Sequence, residues 1–439
     1  MPSWHSGLLT ILPTGQWYLS NKKSISEGHL EEILIAPLGP CQKNQPVTIG
    51  LAPVAADRYR TRIRWKITDD TLHLTPLIGI LTSGEGASFK GNRENFIDIC
   101  KMGQKKGALV FVFTPDGVNW DTKEINGHLY HSKKEEWFSH TFPFPHVVYN
   151  RIPTRKVETK PYMQELVERF SRLENVTLYN QKFFDKHDLF TELQNQNNVA
   201  SFLPQTQKLD TLSTLKNFSK SHSLLYLKPV LGRAGKGIMQ VEKVKGNWLL
   251  RRVERKKAPT ETYSTLKKLW EQIKPLLDNT PYIIQQGIRL ASYQNRIFDI
   301  RVLVQKNGSG CFGVTGMGIR QAGEDSITTH VPRGGAILLL DEVLPALFGE
   351  DEATRLKNEL RNTALLFAMA LEKSKGVLGE MSMDLGVTPD GAIYFFEANA
   401  KPEKFDEPSI RVSSLENIIS FAHYLSSQSL HLPQSPSSR

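Results

Sequence analysis

The sequence predicts an α/β unit followed by a longer α+β segment, both behind a small β-rich N-terminal region. Three observations lead there. Short, wholly apolar runs alternate with helical stretches between residues 76 and 180, the pattern of a parallel sheet with crossover helices. Strand-like runs and long amphipathic helices then share residues 181–425. Near the end, two runs suited to strands flank Asp390-Gly391, the strongest short-range hairpin signal.

In residues 1–75, Leu8-Leu-Thr-Ile-Leu12 and Gln16-Trp-Tyr-Leu19 flank Pro13-Thr-Gly15 and read as a hairpin. Arg58, Arg60, Arg62, Arg64 and Lys66 recur at every second position, which suits a charge-guarded edge strand. The α/β unit follows over residues 76–180. Leu77-Ile-Gly-Ile-Leu81 and Ala108-Leu-Val-Phe-Val-Phe113 are buried strands around a helix at residues 92–106. A short β excursion leads to the strand His146-Val-Val-Tyr149, a helix from Pro161 and the strand Val176-Thr-Leu-Tyr179. Ser83-Gly-Glu-Gly86 resembles a phosphate turn but lacks the GxGxxG fingerprint.

The third segment, residues 181–425, opens with a helix at 186–194. Helix 209–221 and strands at 224–229, 237–241, 282–288 and 298–304 follow. Leu356, Leu360, Ala364, Phe367 and Leu371 mark one face of a helix over 351–375, stopped by Gly376. A last helix covers 415–425, and the Pro- and Ser-rich end of the chain, within residues 426–439, reads as a disordered tail.

Composition narrows the function. The chain has 439 residues and a net charge of +10, unevenly spread: residues 151–290 carry 25 Lys and Arg against 13 Asp and Glu. A basic middle and an acidic end suit a polyphosphate and its metal held between them. No zinc-finger spacing, RNP-like aromatic motif or recognition helix accompanies the basic segment, so nucleic acid is not the expected partner. No apolar run approaches the ~20 residues of a membrane span, and no signal peptide is recognisable. Three dispersed cysteines, Cys41, Cys100 and Cys311, read as buried thiols of a cytoplasmic protein.

The hairpin carries the first chemical signal. A two-residue loop at Asp390-Gly391 sets Pro389 opposite Ala392 and, counting outward, Asp384 opposite Glu397. Asn399 shares their face, because side chains alternate along a strand. Carboxylates placed directly opposite repel. The arrangement therefore reads as a cation site, and an oxygen-only donor set selects a hard ion, Mg2+ with phosphates. A solvated acidic face is the alternative; apolar Leu385, Ile393 and Phe395 argue for burial instead.

Upstream pieces suit a nucleotide. Gly232-Arg233-Ala234-Gly235-Lys236-Gly237 lies between two strands and lacks the Walker ending, yet its glycines can bring backbone N–H groups to phosphate oxygens. Lys228 ends an apolar strand just before it. Asp185-Lys186 opens a helix, where dipole and cation can attend a phosphate together. Asp299 and Arg301 alternate on an apolar strand, and such charges need partners or a task. Arg333-Gly334-Gly335 reads as an anion grip in a loop.

The order Lys186, Lys228, glycine loop, Gln285-Gln286-Gly287-Ile288, Asp299/Arg301, Arg333, Asp384, Glu397-Ala398-Asn399 resembles the ATP-grasp superfamily over residues 181–425. The runs Phe298-Asp-Ile-Arg-Val-Leu-Val-Gln305 and Gly379-Glu-Met-Ser-Met-Asp-Leu-Gly386 resemble its YheC/YheD group, associated with the bacterial endospore coat. The resemblance implies a pre-ATP-grasp domain at 76–180 and an ATP-grasp module at 181–425. It implies ATP bound by Lys186, Lys228, Gly232, Arg233, Gly235, Lys236, Gly237, Gln285, Gln286 and Ile288. Mg2+ would be held by Asp384, Glu397 and Asn399, with Arg301 and Arg333 catalytic.

The implied activity is an ATP-dependent ligase that joins a carboxylate, activated as an acylphosphate, to an amine or thiol. Coat proteins would be its partners, and the forespore or spore coat a further location. A non-catalytic coat protein and a small-molecule kinase would use the same residues. The sequence departs from the superfamily at the adenine strand, which ends in Gln285-Gln286 where a Glu is common. Lys182 is the alternative to Lys186.

Overall fold

Alternating exposure first shows where each sheet faces. In the strand Tyr59–Thr68, Tyr59, Thr61, Ile63 and Trp65 are buried while Arg60, Arg62 and Arg64 are exposed. In Leu77–Leu81 and Leu109–Phe113 every residue is buried, as strands covered on both faces require. The computed structural model describes residues 4–20, 32–38, 43–53, 59–68, 71–86, 88–230, 236–252, 259–324, 326–329, 334–405 and 407–429.

Four larger sheets follow one another along the chain. The first has the order Glu32–Leu38, Lys43–Ile49, Trp17–Ser20, His5–Ile11, Tyr59–Thr68, Thr71–Thr75. The expected hairpin is present, with Ile11 opposite Trp17. The arginine strand is not an edge: it lies between His5–Ile11 and Thr71–Thr75, and its charges line an outer face. Arg58 lies outside the described residues. In the second sheet, Leu109–Phe113, Leu77–Leu81, Val147–Asn150 and Thr177–Tyr179 run parallel. The helix Arg93–Lys106, capped by Asn92 and ended at left-handed Gly107, covers it.

The third sheet, ordered Thr206–Lys208, Tyr282–Gln286, Leu224–Pro229, Met239–Val244, Asn247–Arg252, Thr260–Tyr263, is wholly antiparallel. The fourth runs Ala336–Leu338, Phe312–Gln321, Arg296–Lys306, Glu380–Val387, Ile393–Asn399. Helix Glu350–Lys375 packs on it through Leu356, Leu360, Ala364, Phe367 and Leu371, and the Phe367 and Phe395 rings stack 4.2 Å apart. The final helix, Pro408–Ser429, is longer than expected and includes four residues read as tail. It packs back on the upstream unit, where Ile418, Ile419, Phe421 and Ala422 share a core with Phe96, Ile99 and Tyr149.

Two further expectations change. Ser83–Gly86 forms part of a small hairpin, Gly84–Glu85 with Ser88–Phe89, away from the cleft described below. Cys100 is buried as expected, but Cys311 is exposed. Cys41 lies outside the described residues.

Candidate functional site

The third and fourth sheets face each other across a cleft of about 830 Å³, a size typical of ligand sites. Its walls include Lys228, Gln285 and Gln286 from one sheet and Asp299, Arg301, Asp384, Glu397 and Asn399 from the other. Lys186, Lys236 and Ile288 also line it. Gly237 does not; its carbonyl accepts the Tyr282 hydroxyl at 3.0 Å, and its φ of +75° explains the glycine. Gly232, Arg233, Gly235 and Arg333 lie outside the described residues.

The hairpin pairs Asp384 with Glu397 and Ser382 with Asn399, although the loop is not the expected one. Thr388 and Ala392, not Pro389 and Ala392, close it: Thr388 N–H donates to Ala392 O at 3.0 Å and Gly391 N–H to Thr388 O at 2.9 Å. The loop thus has three residues, with Gly391 in the left-handed region at φ +83°. This shifts the register by one near the turn, where Val387 faces Ile393. A bulge between Asp384 and Leu385 shifts it back. The two offsets cancel, and the carboxylates meet.

Each carboxylate already has a cation. The Arg301 guanidinium donates to both Asp384 oxygens at 2.7 and 2.8 Å, and Lys186 Nζ lies 3.3 Å from Glu397. Burial alone would push the Asp384 carboxyl up, but Arg301 holds it below the ordinary range. Lys186 begins the helix Lys186–Gln194, and Asp185 accepts from the Asp188 N–H at 3.2 Å, an N-cap contact that orients this turn. Lys186, not Lys182, is therefore the lysine at the carboxylate wall.

Lys228 donates to Gln285 Oε1 at 2.5 Å, and Gln285 Nε2 donates to Thr206 at 2.9 Å. The Gln285 side chain is thus a strut for the lysine. Burial, and secondly the Lys186 charge, push Lys228 down to about 8. Asp299 is raised to about 7 by burial and then by the Asp384 charge.

Among the described residues no three His, Cys, Asp or Glu side chains cluster as a metal site. The donor set at the hairpin is two carboxylates and one amide. These residues fit a hard divalent cation: their oxygens share one cleft wall, and Asp384 and Glu397 are paired with Arg301 and Lys186, cations that an arriving ion would replace.

Sequence reasoning missed Arg320, Tyr226, Phe396 and Lys401, all of which line the cleft. Lys401 belongs to a buried network that fixes the hairpin to the upstream sheet. Its Nζ lies 2.6 Å from Glu158 and 2.9 Å from Asn150 Oδ1. Arg151 donates to the Pro402 carbonyl at 3.0 Å and pairs with Glu380 at 3.3 Å. Asn180 donates to the carbonyls of Ala400 and Glu380 and accepts from Gly379 N–H at 2.8 Å. The start of one carboxylate strand and the end of the other are thereby anchored.

With this geometry in place, the chain can be set beside known proteins. A family model described as YheC/D-like ATP-grasp matches residues 175–425. The endospore coat-associated protein YheD of Bacillus subtilis (strain 168) is 30% identical over 389 residues, covering 86% of this chain and 84% of YheD. The endospore coat-associated protein YheC of the same organism is 21% identical over 305 residues, covering 70% of this chain and 84% of YheC. Among solved structures, D-alanyl-alanine synthetase A from Vibrio cholerae O1 biovar eltor str. N16961 aligns with a TM-score of 0.46 at 12% identity. That alignment covers 81% of this chain and 99% of that one.

Proposed function

The chain belongs to the YheC/D-like ATP-grasp family, and on that premise we propose that it is an ATP- and Mg2+-dependent ligase activating a carboxylate as an acylphosphate for an amine or thiol. The observation that carries the reading is the pair of facing carboxylates, each neutralised by a cation inside a cleft that also holds Lys228. A non-catalytic coat protein would gain nothing from these charges, since burying them costs several kcal/mol per ion before any pairing. The names of YheD and YheC motivate an endospore-coat association. Among the described residues no helix is long and apolar enough to cross a membrane.

In this reading Asp384, Glu397 and Asn399 would hold the divalent ion, which would supply neutralisation of phosphate charge. Arg301 and Lys186, on the same cleft wall, would stabilise the charge of the transferring phosphoryl group. Lys228 reaches the phosphates, and Lys236, in the glycine loop, covers them. Tyr226, Ile288 and Phe396 supply apolar walls. Arg333 orients the acid.

Lys228 gives this reading a pH signature. Its pKa in the folded protein, about 8, lies below its ordinary 10.5. The unfolded chain therefore holds the proton more firmly. The cost of keeping Lys228 charged is present in full below the folded value and is relieved as pH rises from it towards the ordinary one. A polyphosphate favours the charged lysine, so Mg-ATP binding draws in a proton near pH 8 and weakens as pH rises further. Calorimetry in buffers of different ionisation enthalpy measures that uptake; Lys228→Arg should abolish it, and zero uptake by the wild-type protein would contradict the assignment. Mass spectrometry after incubation with ATP, Mg2+ and cell extract tests the reaction: an amide or thioester supports the ligase, a phosphorylated product alone the kinase.

A further inference from the structure

Asp299 and Arg320 sit opposite each other on the neighbouring strands Arg296–Lys306 and Phe312–Gln321, and both line the cleft. They carry opposite charges, yet no ion pair joins them. Asp299 is 7% exposed; its Oδ2 accepts from the Thr329 hydroxyl, while the buried Oδ1 has no hydrogen-bond partner among the described residues. Arg320 is half-buried, and its guanidinium makes no hydrogen bond or ion pair among the described residues. The contrast is with Arg301, two residues from Asp299, which is fully engaged by Asp384.

A buried carboxylate oxygen without a donor is costly in a folded protein. Beside an uncommitted guanidinium, in a ligand cleft, the two are complementary to a small molecule with a donor cation and an acceptor anion side by side. Resting on the ligase reading above, we propose that the acceptor is an amino acid. Its ammonium group donates to Asp299 Oδ1, and its own carboxylate lies on the Arg320 guanidinium. This separates the two acceptor chemistries. A thiol attacks as thiolate, which a neighbouring carboxylate disfavours. An amine arrives protonated and must lose a proton before it attacks.

The step balances with the groups present. One ammonium proton passes to Asp299 Oδ1, and the freed nitrogen lone pair forms a C–N bond to the acyl carbon. The bond from that carbon to the phosphate oxygen breaks, inorganic phosphate leaves with the electron pair, and the phosphate takes up the second nitrogen proton, which C–N bond formation has made acidic. Asp299 then returns the proton to solvent. Five groups bear on that carboxyl: Thr329 from its loop, Arg301 from its own strand, Arg320 from the neighbouring strand, Asp384 from the hairpin and Lys228 from the facing sheet. Burial and the Asp384 charge raise its proton affinity, which makes the ionised carboxylate the stronger base.

The test uses the full chain with Mg2+ and ATP. Calorimetry first establishes nucleotide binding. The twenty standard amino acids are then screened singly by ligand-observed NMR. The tightest binder is compared with its decarboxylated amine, its deaminated acid and 2-mercaptoethanol. The expected result is an amino acid bound at least about tenfold more tightly than either fragment or the thiol. Asp299→Asn should lose that binding. Arg320→Gln should lose the preference of amino acid over amine, and Arg320→Lys should restore part of it; thermal melting verifies that each variant is folded. Equal binding of amine and amino acid, preferred binding of the thiol, or no amino-acid binding by a protein that binds Mg-ATP would overturn the proposal. Failure to bind Mg-ATP would reject the nucleotide reading and this proposal with it.

Discussion

Glu397→Gln lowers ATP consumption by about 10²- to 10³-fold and leaves the melting transition nearly unchanged. The substitution keeps size and one oxygen acceptor but removes the charge that faces Asp384 across the hairpin. Glu397 is the more exposed member of its pair, and glutamine keeps an oxygen that can accept from Lys186, so the lysine left behind retains a hydrogen bond. Asp384→Asn is the less discriminating variant. It also strips a largely buried Arg301 of a bidentate partner, and breaking a buried pair costs about 3–5 kcal/mol. Loss of activity there would mix chemistry with stability. Steady-state phosphate release, read beside thermal melting, separates the two; an active Glu397→Gln protein would remove the hairpin from the mechanism.

Glu380→Ala destabilises the chain by about 3–5 kcal/mol, the largest stability effect expected from a single side chain here. Glu380 is 3% exposed. Its carboxylate accepts from Tyr149 and from Gln305 at 3.0 Å and pairs with Arg151 at 3.3 Å. Truncation leaves Arg151 buried without its carboxylate and opens a cavity where strands of two sheets meet. The loss spreads to the site, because Arg151 and Asn180 also hold the Ala400–Pro402 backbone just beyond Asn399. Denaturant unfolding of Glu380→Ala and the milder Glu380→Gln checks this. A shift below about 1 kcal/mol for the alanine variant would mean that the network is redundant.

How much of this was legible in the sequence depended on whether the signal was local. The carboxylate pair was legible because a hairpin is a local object, yet its register came out as expected through two cancelling errors in the count. Asp390-Gly391 suggested a two-residue loop; Pro389 extends it to three, and the bulge at Phe396 compensates. That bulge also places Phe396 in the cleft, beside Lys228 Nζ at 5.5 Å from its ring centre.

The strand Phe312–Gln321 was not legible, and Arg320 was lost with it. Gly313, Gly316 and Gly318 make that stretch read as a loop. For the last two the reason lies about ninety residues on: a Cβ at Gly316 would come within 2.5 Å of Ile410, and one at Gly318 within 2.5 Å of Glu407. The glycines let the C-terminal segment lie across the strand. Pro275 likewise hides the helix Leu266–Asn279, since an interior proline ordinarily marks a boundary. Asn150, Arg151 and Asn180 carry no sequence mark at all, because their partners are more than 180 residues away or on another sheet.

The central claim is that the facing carboxylates hold the metal that brings ATP into this cleft. Isothermal titration of ATP into the wild-type chain and Glu397→Gln, each with and without Mg2+, tests it most directly. The account predicts that Mg2+ strengthens ATP binding to the wild-type protein at least about tenfold and that this gain disappears in Glu397→Gln. An equal Mg2+ gain in both proteins, or no ATP binding by the wild-type chain, would contradict it.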